Sequence, residues 1–111
     1  LQALTLLNDP AYVEMALAFG RNLATTENAT DRERIELAFL RCLARTPTSE
    51  ESDVLIDFLK SERSRNRQNP QAAESLISKK WRASKIDVSE QVAWFGVANI
   101  LLNLDETITR N

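Results

Sequence analysis

Apolar residues recur three and four positions apart along most of this chain, and this spacing predicts amphipathic α-helices. The clearest stripe is Ile35, Ala38, Phe39, Cys42 and Leu43. Two further stripes are Val13, Ala16, Leu17, Gly20, Leu23 and Ala24, and Val54, Leu55, Phe58 and Leu59. β-Branched residues do not alternate with polar ones, as they would in a half-buried strand. The pattern therefore predicts an all-α fold.

Polar residues and prolines interrupt these stripes where helices should begin. Thr30-Asp31-Arg32-Glu33 and Thr48-Ser49-Glu50-Glu51 each match a capping box, in which a threonine and a glutamate bond to backbone amides. Asn8-Asp9-Pro10 and Asn69-Pro70 place a capping side chain before a proline at the first helical position. Asp87 with Glu90 is a looser version of the box. These signals predict a short helix at 2–7 and longer ones at 10–25, 31–45, 49–65, 71–82 and 88–104.

The last predicted helix contains VAWFGVANILLNL, which is apolar on nearly every face. A helix of this kind is normally surrounded by others. We therefore predict a single-domain bundle of five or six helices around this apolar C-terminal helix, with Trp94 and Phe95 in the core. Gly20 is expected to allow a close approach between two helices. The polar segment at 60–71 is expected to fray or to form a loop.

The size and net charge of the chain limit the functional classes to which it can belong. The 111 residues fit one domain, and a formal net charge of −2 offers no strong attraction to nucleic acid or an anionic membrane. The longest apolar stretch, 92–102, is shorter than the roughly 20 residues that span a bilayer. Because the chain begins at Leu1 within an apolar pattern, we expect it to be a piece cut from a longer protein. We find no targeting signal in it.

Catalytic and metal-binding residue types are scarce. Histidine is absent and Cys42 is the single cysteine, so no disulfide can form within the chain. This composition argues against the usual serine-, cysteine- and zinc-dependent hydrolases, and we expect no cofactor and no metal in this segment. Cys42 lies within an apolar stripe and is interpreted as an inert core thiol.

Five polar residues are candidates for a functional role, namely Asp9, Asn99, Asn103, Asp105 and Glu106. The two asparagines are four residues apart on the apolar helix, so they share a face and are expected to bond to a neighbouring backbone. Adjacent carboxylates diverge on a helix, which makes Asp105 and Glu106 a poor acid–base pair. Asp9 could complete such a pair from elsewhere in the fold.

Two basic clusters have a structural and a functional interpretation. The first, at 60–67, contains Lys60, Arg63, Arg65 and Arg67. Its arginines do not share a helical face, so we interpret it as solvated surface rather than a phosphate contact. In the second, at 79–85, four cations surround Trp81. Here an anchored tryptophan with lysines reaching solvent is favoured over stacking on a nucleic-acid base.

Three segments resemble a known family. The segments are LQALTLLNDPAYVEMA, RIELAFLRCLARTPTSEE and LLNLDETITRN, and together they resemble the C-terminal part of a planctomycete-specific domain of unknown function. The chain departs from the family pattern at Leu43-Ala44-Arg45, where the family usually has Leu-Gly-Arg. It also has Thr107 where an aromatic residue often follows the final acidic pair. Both changes affect packing and caps.

The resemblance implies a large multidomain bacterial protein, exported to the periplasm or cell surface, with this segment at its C-terminus. Upstream regions in that family often carry a cytochrome-c-like module, so any haem would belong there. The resemblance implies no activity and no catalytic residues. Leu1, Leu4 and Leu7 are expected to contribute to an apolar face that covers the missing part of the parent.

The preferred functional hypothesis is a non-catalytic helical accessory domain that packs against upstream domains of its parent or mediates assembly, including homo-oligomers. The alternative is a shared active site, with a polysaccharide as one possible substrate, to which Asp9, Asp105 or Glu106 contributes. A third hypothesis, nucleic-acid binding through 60–67 and 79–85, is disfavoured by the charge balance.

Overall fold

The structure is a computed structural model that describes the backbone of residues 10–110 and the side chains of residues 10–105. Within these ranges the chain forms five α-helices and one 3₁₀ turn, with no strand. They are α1 (Pro10–Ala24), α2 (Asp31–Leu43), α3 (Ser49–Gln68), α4 (Pro70–Leu76), a 3₁₀ turn (Lys79–Trp81) and α5 (Val88–Arg110). The predicted all-α bundle is confirmed, and the predicted helix at 2–7 lies outside the described residues.

The apolar C-terminal helix is the centre of the bundle, as predicted. α5 contacts all four of the other α-helices. Its first half is closely covered, and Trp94, Val97 and Ala98 are fully buried there. Trp94 is the largest fully buried side chain among the described residues. Phe95 is only partly buried and packs against a second, smaller apolar cluster.

α1 runs antiparallel to α5, and Gly20 sets the distance between them. The Tyr12 hydroxyl donates to the Leu102 carbonyl at 2.5 Å near one end of the pair. Further along, a Cβ atom on Gly20 would lie only 2.7 Å from the Phe95 Cα atom. The predicted close approach is therefore confirmed, because any side chain at this position would push the two helices apart.

α3 is longer than predicted, and the expectation of a loop or frayed segment at 60–71 is wrong. The helix continues to Gln68, and α4 begins only two residues later. Glu62 and Asn66 are buried on the same face as Leu59. Tertiary packing against α5 therefore stabilises a stretch whose composition suggested a loop. The α3 stripe was also wrong at Val54, which is 66% exposed.

The predicted helix at 71–82 is two shorter elements. α4 ends at Leu76, and Ile77 takes an extended backbone conformation with φ −125° and ψ 114°. Ile77 is fully buried with Ala73 and Val92 in the second apolar cluster. The chain then forms the 3₁₀ turn that ends at Trp81. Neither glycine nor proline occurs at this break, so no local sequence signal predicts it.

Candidate functional site

Three of the five polar candidates lie in the described part of α5. Asn99, Asn103 and Asp105 are each half-buried in the second half of that helix. Asn103 and Asp105 each have an interaction partner. Asp9 lies outside the described residues, and only the helical backbone is described at Glu106. A role for these residues in binding or catalysis therefore stays a prediction.

The threonines that precede α2 and α3 are helix caps. The Thr30 hydroxyl accepts from the Glu33 amide at 3.1 Å, and the Glu33 carboxylate accepts from the Thr30 amide at 2.8 Å. Thr48 and Glu51 repeat this arrangement at 3.1 Å and 2.9 Å. Arg45 also donates to Glu51, and these bonds lower the pKa of Glu51 to about 2. Both predicted capping boxes are confirmed.

The other two caps differ from each other. Asn69 accepts from the Ala72 amide at 3.3 Å, with Pro70 at the first position of α4, as predicted. Asp87 accepts from the Ser89 amide at 3.0 Å. Glu90 points elsewhere, so the looser box at the start of α5 is only half formed.

Arg63 joins three helices, and the interpretation of its surroundings as solvated surface is wrong at this residue. Its guanidinium donates to both Asp31 oxygens, at 2.7 Å and 3.0 Å, and to both Glu90 oxygens, at 2.9 Å and 2.5 Å. The indole nitrogen of Trp94 donates to Glu90 at 3.1 Å. Bonding to Arg63 lowers the pKa of Asp31. The cluster thus ties α2 and α3 to the first half of α5.

Two buried amide side chains near the Arg63 cluster bond to backbone groups, and the sequence did not reveal them as important. Gln91 donates to the Trp81 carbonyl at 2.7 Å and accepts from the Ala83 amide at 2.9 Å. Asn66 donates to the Ser89 carbonyl at 2.9 Å. Asn66 continues the helical spacing of the α3 stripe. A rule that counts only apolar residues overlooks that signal.

Trp81 is an anchor at the edge of the core, in agreement with the favoured interpretation of the second basic cluster. It is partly buried against the second apolar cluster, and the Arg21 guanidinium lies 5.3 Å from its ring centre. Arg82 donates to the carbonyls of Ile77 and Glu74 at 3.0 Å and 2.9 Å. These contacts hold the segment between α4 and α5 against the bundle.

An apolar groove opens between α2, α3 and the second half of α5. Its volume is about 230 Å³. Phe39 and Leu55 are buried in its floor, whereas Val54 and Leu104 at its sides are 66% and 41% exposed. Its full lining is Phe39, Glu50, Glu51, Val54, Leu55, Ile100 and Leu104. The groove therefore leaves apolar side chains of α3 and α5 open to solvent beside the packed core.

A second groove, which we call the Cys42 groove, lies between α1, α2 and another face of α5. It has a volume of about 420 Å³ and is lined by Met15, Ala18, Phe19, Asn22, Arg41, Cys42 and Leu102. Burial, with a smaller effect of Asp105, raises the pKa of the Cys42 thiol to about 11. The thiol is therefore protonated at neutral pH and is a poor nucleophile.

Two further observations concern the described residues alone. Among them, no three acidic, cysteine or histidine side chains come close enough together to bind a metal ion. No described helix combines the length and apolar character needed to cross a bilayer.

The family model for PSD1, described as a protein of unknown function (DUF1553), matches residues 1–59, which is more than half of the chain. The chain belongs to this family. Neither the curated proteins nor the solved structures contain a match. PSD1 membership confirms the resemblance to a domain of unknown function and brings no activity with it.

The PSD1 match ends within α3. It therefore covers only part of the apolar groove. Phe39, Val54 and Leu55 come from the matched residues, whereas Ile100 and Leu104 come from α5. The groove exists only because α5 packs on the helices of the matched part.

Proposed function

We propose that this chain is a helical docking domain that binds other parts of its parent protein through the apolar groove. The observation that carries the proposal is the exposure of Val54 and Leu104 beside the buried floor of that groove. Covering apolar surface contributes roughly 25 cal/mol per Å². The Cys42 groove adds Met15, which is 53% exposed, to the available apolar surface.

One carboxylate at the apolar groove, Glu51, is bonded in a way that argues against acid–base chemistry there. Glu51, at the groove, is held by Arg45 and by the Thr48 amide. A general acid or base needs a proton that it can exchange near neutral pH. Groups held ionised by such bonds serve the fold instead.

A shared active site to which Asp9, Asp105 or Glu106 contributes, with a polysaccharide as the substrate class, is the second candidate. Asp105 raises the pKa of Cys42, which places it near the Cys42 groove. Glycoside hydrolysis ordinarily needs two carboxyl groups that flank the bond to be broken. Among the described residues, the lining of the Cys42 groove includes no carboxylate. We therefore rank this candidate below docking.

The setting that we propose for the docking domain is a large exported bacterial protein, in the periplasm or at the cell surface. The support is the resemblance of three segments to a planctomycete-specific domain, whose upstream regions often include a cytochrome-c-like module. In this proposal the haem belongs to the upstream module, and the docking domain holds no cofactor of its own.

Hydrogen exchange tests the docking proposal by comparing the 111-residue chain with the full-length parent. We expect slower exchange in the parent for backbone amides that border the groove, at 39–45, 50–55 and 100–105, because a covered groove opens less often. Exchange in α4 should be the same in both. The Val54→Asp variant should reduce this protection in the parent.

Leu76→Asp is the matched control, because Leu76 on α4 is 54% exposed and does not line the groove. It should leave the protection unchanged. Equal exchange at the groove in the isolated chain and in the parent would contradict the docking proposal. Protection that depends on the concentration of the isolated chain would assign the groove to a second copy instead.

A further inference from the structure

We propose that the apolar groove binds an amphipathic helix whose apolar face is flanked by lysine or arginine. This inference rests on the proposed docking function and adds the chemistry of the partner. Two features of the groove carry it, namely its shape and the sign of the charge beside it.

The shape of the groove suits large apolar side chains on a helix. The groove has a volume of about 230 Å³, and its lining is apolar apart from Glu50 and Glu51. Val54 on α3 and Leu104 on α5 border the groove, and Phe39 on α2 lies in its floor. A groove bounded by helices is commonly filled by residues at i, i+3 or i+4, and i+7 of an amphipathic helix.

The α3 side of the groove is acidic. Glu50 precedes Val54 by four residues and Asp57 follows it by three, so helical geometry puts all three side chains on one face. Glu50 and Asp57 are exposed. Among residues 10–105, neither carboxylate takes part in an ion pair. Val54 is therefore bracketed by two negative charges that face solvent.

Two other charges near this side are already compensated. Arg45 donates to Glu51 at 2.8 Å, and Arg32 donates to Asp53 at 2.9 Å. Lys60 follows Asp57 by three residues but does not line the groove. The charge left over beside Val54 is therefore negative, and it comes from Glu50 and Asp57. Complementary charge at the rim of an interface selects a partner and guides its approach.

Other occupants fit these observations less well. An acyl chain of an anionic lipid would match the apolar floor, but its headgroup would be repelled by Glu50 and Asp57. A second copy of the chain carries a formal net charge of −2, so the two copies repel each other weakly. A basic amphipathic helix uses the apolar floor and the acidic side together.

The test is a titration of the 111-residue chain with fluorescent amphipathic peptides of about 18 residues, which form about five helical turns. Three peptides share one leucine face and are flanked by lysine, glutamine or glutamate. At about 0.05 M salt we expect the lysine peptide to bind about fivefold more tightly than the glutamate peptide. The difference should nearly vanish at about 1 M salt, where the screening length is about 3 Å.

Variants of the chain identify the groove as the binding site. Glu50→Gln combined with Asp57→Asn should reduce the charge preference to less than about twofold, since each rim pair contributes little by itself. Glu14→Gln, an exposed change on α1, should leave the preference intact. Val54→Asp should weaken binding of all three peptides, because it puts a charge beside the apolar floor.

The outcomes separate this inference from the docking function. Equal binding of the lysine and glutamate peptides, or no binding of any peptide, overturns the inference. The docking function stands in either case if the groove is protected from exchange in the parent. Self-association of the chain that Val54→Asp abolishes would identify a second copy as the occupant and also overturn it.

Discussion

The two halves of α5 differ in how completely the other helices cover and bond to them. In the first half, 88–98, a salt-bridge cluster around Arg63 and the buried amide of Gln91 tie the helix to its neighbours. In the second half, 99–105, Leu101 alone is fully buried, and Leu104 is 41% exposed. We call these the closed half and the open half.

In the docking proposal, this difference separates the part of the chain that completes its own packing from the part that offers surface to another molecule. Polar groups in the closed half find partners within the bundle, which fixes the angles between α2, α3 and α5. In the open half, no hydrogen bond joins α5 to α2 or α3 among the described residues that line the apolar groove. A docking site of this kind needs the closed half as a rigid support.

The largest expected effect on stability comes from adding a side chain where α1 contacts α5. Gly20→Ala would place a Cβ atom 2.7 Å from the Phe95 Cα atom, and backbone cannot move aside without shifting a helix. We expect a loss of about 2–3 kcal/mol in the free energy of unfolding, measured by urea denaturation.

Gly96→Ala is the matched control for Gly20→Ala. Its Cβ atom would meet the far end of the Phe58 ring at 2.7 Å, and a side-chain ring can turn away. The gain in helix propensity offsets part of the clash, so the cost should stay below about 1 kcal/mol. Equal costs for the two variants would show that the approach of α1 to α5 is not rigid.

Next in size is the removal of the cation from the closed half. Arg63→Met leaves Asp31 and Glu90, whose side chains are 34% and 31% exposed, without their shared partner. Water reaches both carboxylates, so we expect a loss of about 1–2 kcal/mol in urea denaturation. Arg32→Met removes an exposed ion pair to Asp53 and should cost no more than about 0.5 kcal/mol.

The Arg63 contribution should depend on pH in a defined direction. Bonding to Arg63 lowers the pKa of Asp31 below its ordinary value of 3.8. A carboxylate whose pKa is lower in the folded state stabilises the fold fully at a pH above its unfolded-state pKa. This stabilisation is lost as the pH falls through the folded-state pKa. The difference between wild type and Arg63→Met should therefore shrink below about pH 4. A constant difference from pH 7 to pH 2 would contradict this assignment.

The smallest expected effect is a gain at the C-terminal end of α2. Ala44 follows α2 with φ 57°, a left-handed conformation that glycine adopts without a Cβ penalty. Ala44→Gly should raise the free energy of unfolding by about 0.5–1 kcal/mol. Ala18→Gly, within the helical α1, should lower it by about 1 kcal/mol. Thermal denaturation of both variants measures the two stability changes. Changes of the same sign would contradict the prediction.

Helix starts could be read from the sequence because their signals are local. Thr30 and Glu33 lie three residues apart and bond to each other's backbone, so spacing alone identifies the cap. The apolar character of α5 likewise predicts its central place. The extension of α3 to Gln68 and the end of α4 at Leu76 could not be read in this way. Both depend on burial of Asn66 and Ile77 against distant segments.

The candidate site was less predictable than the fold. Asn99 and Asn103 were chosen because polar residues on an apolar helix are unusual, whereas the groove is marked by apolar residues that stay exposed. Val54 looks the same in sequence as a core valine, since periodicity does not reveal which stripe residue a neighbouring helix will cover.

The sequence by itself determined the all-α class and the capped starts of α2, α3 and α4, because each depends on residues near one another in the chain. Only the tertiary structure decided that Arg63 bonds to Asp31 and Glu90, and that Val54 and Leu104 border an open groove. Those outcomes depend on which helices meet, and contacts between distant segments follow from the packing of the whole bundle.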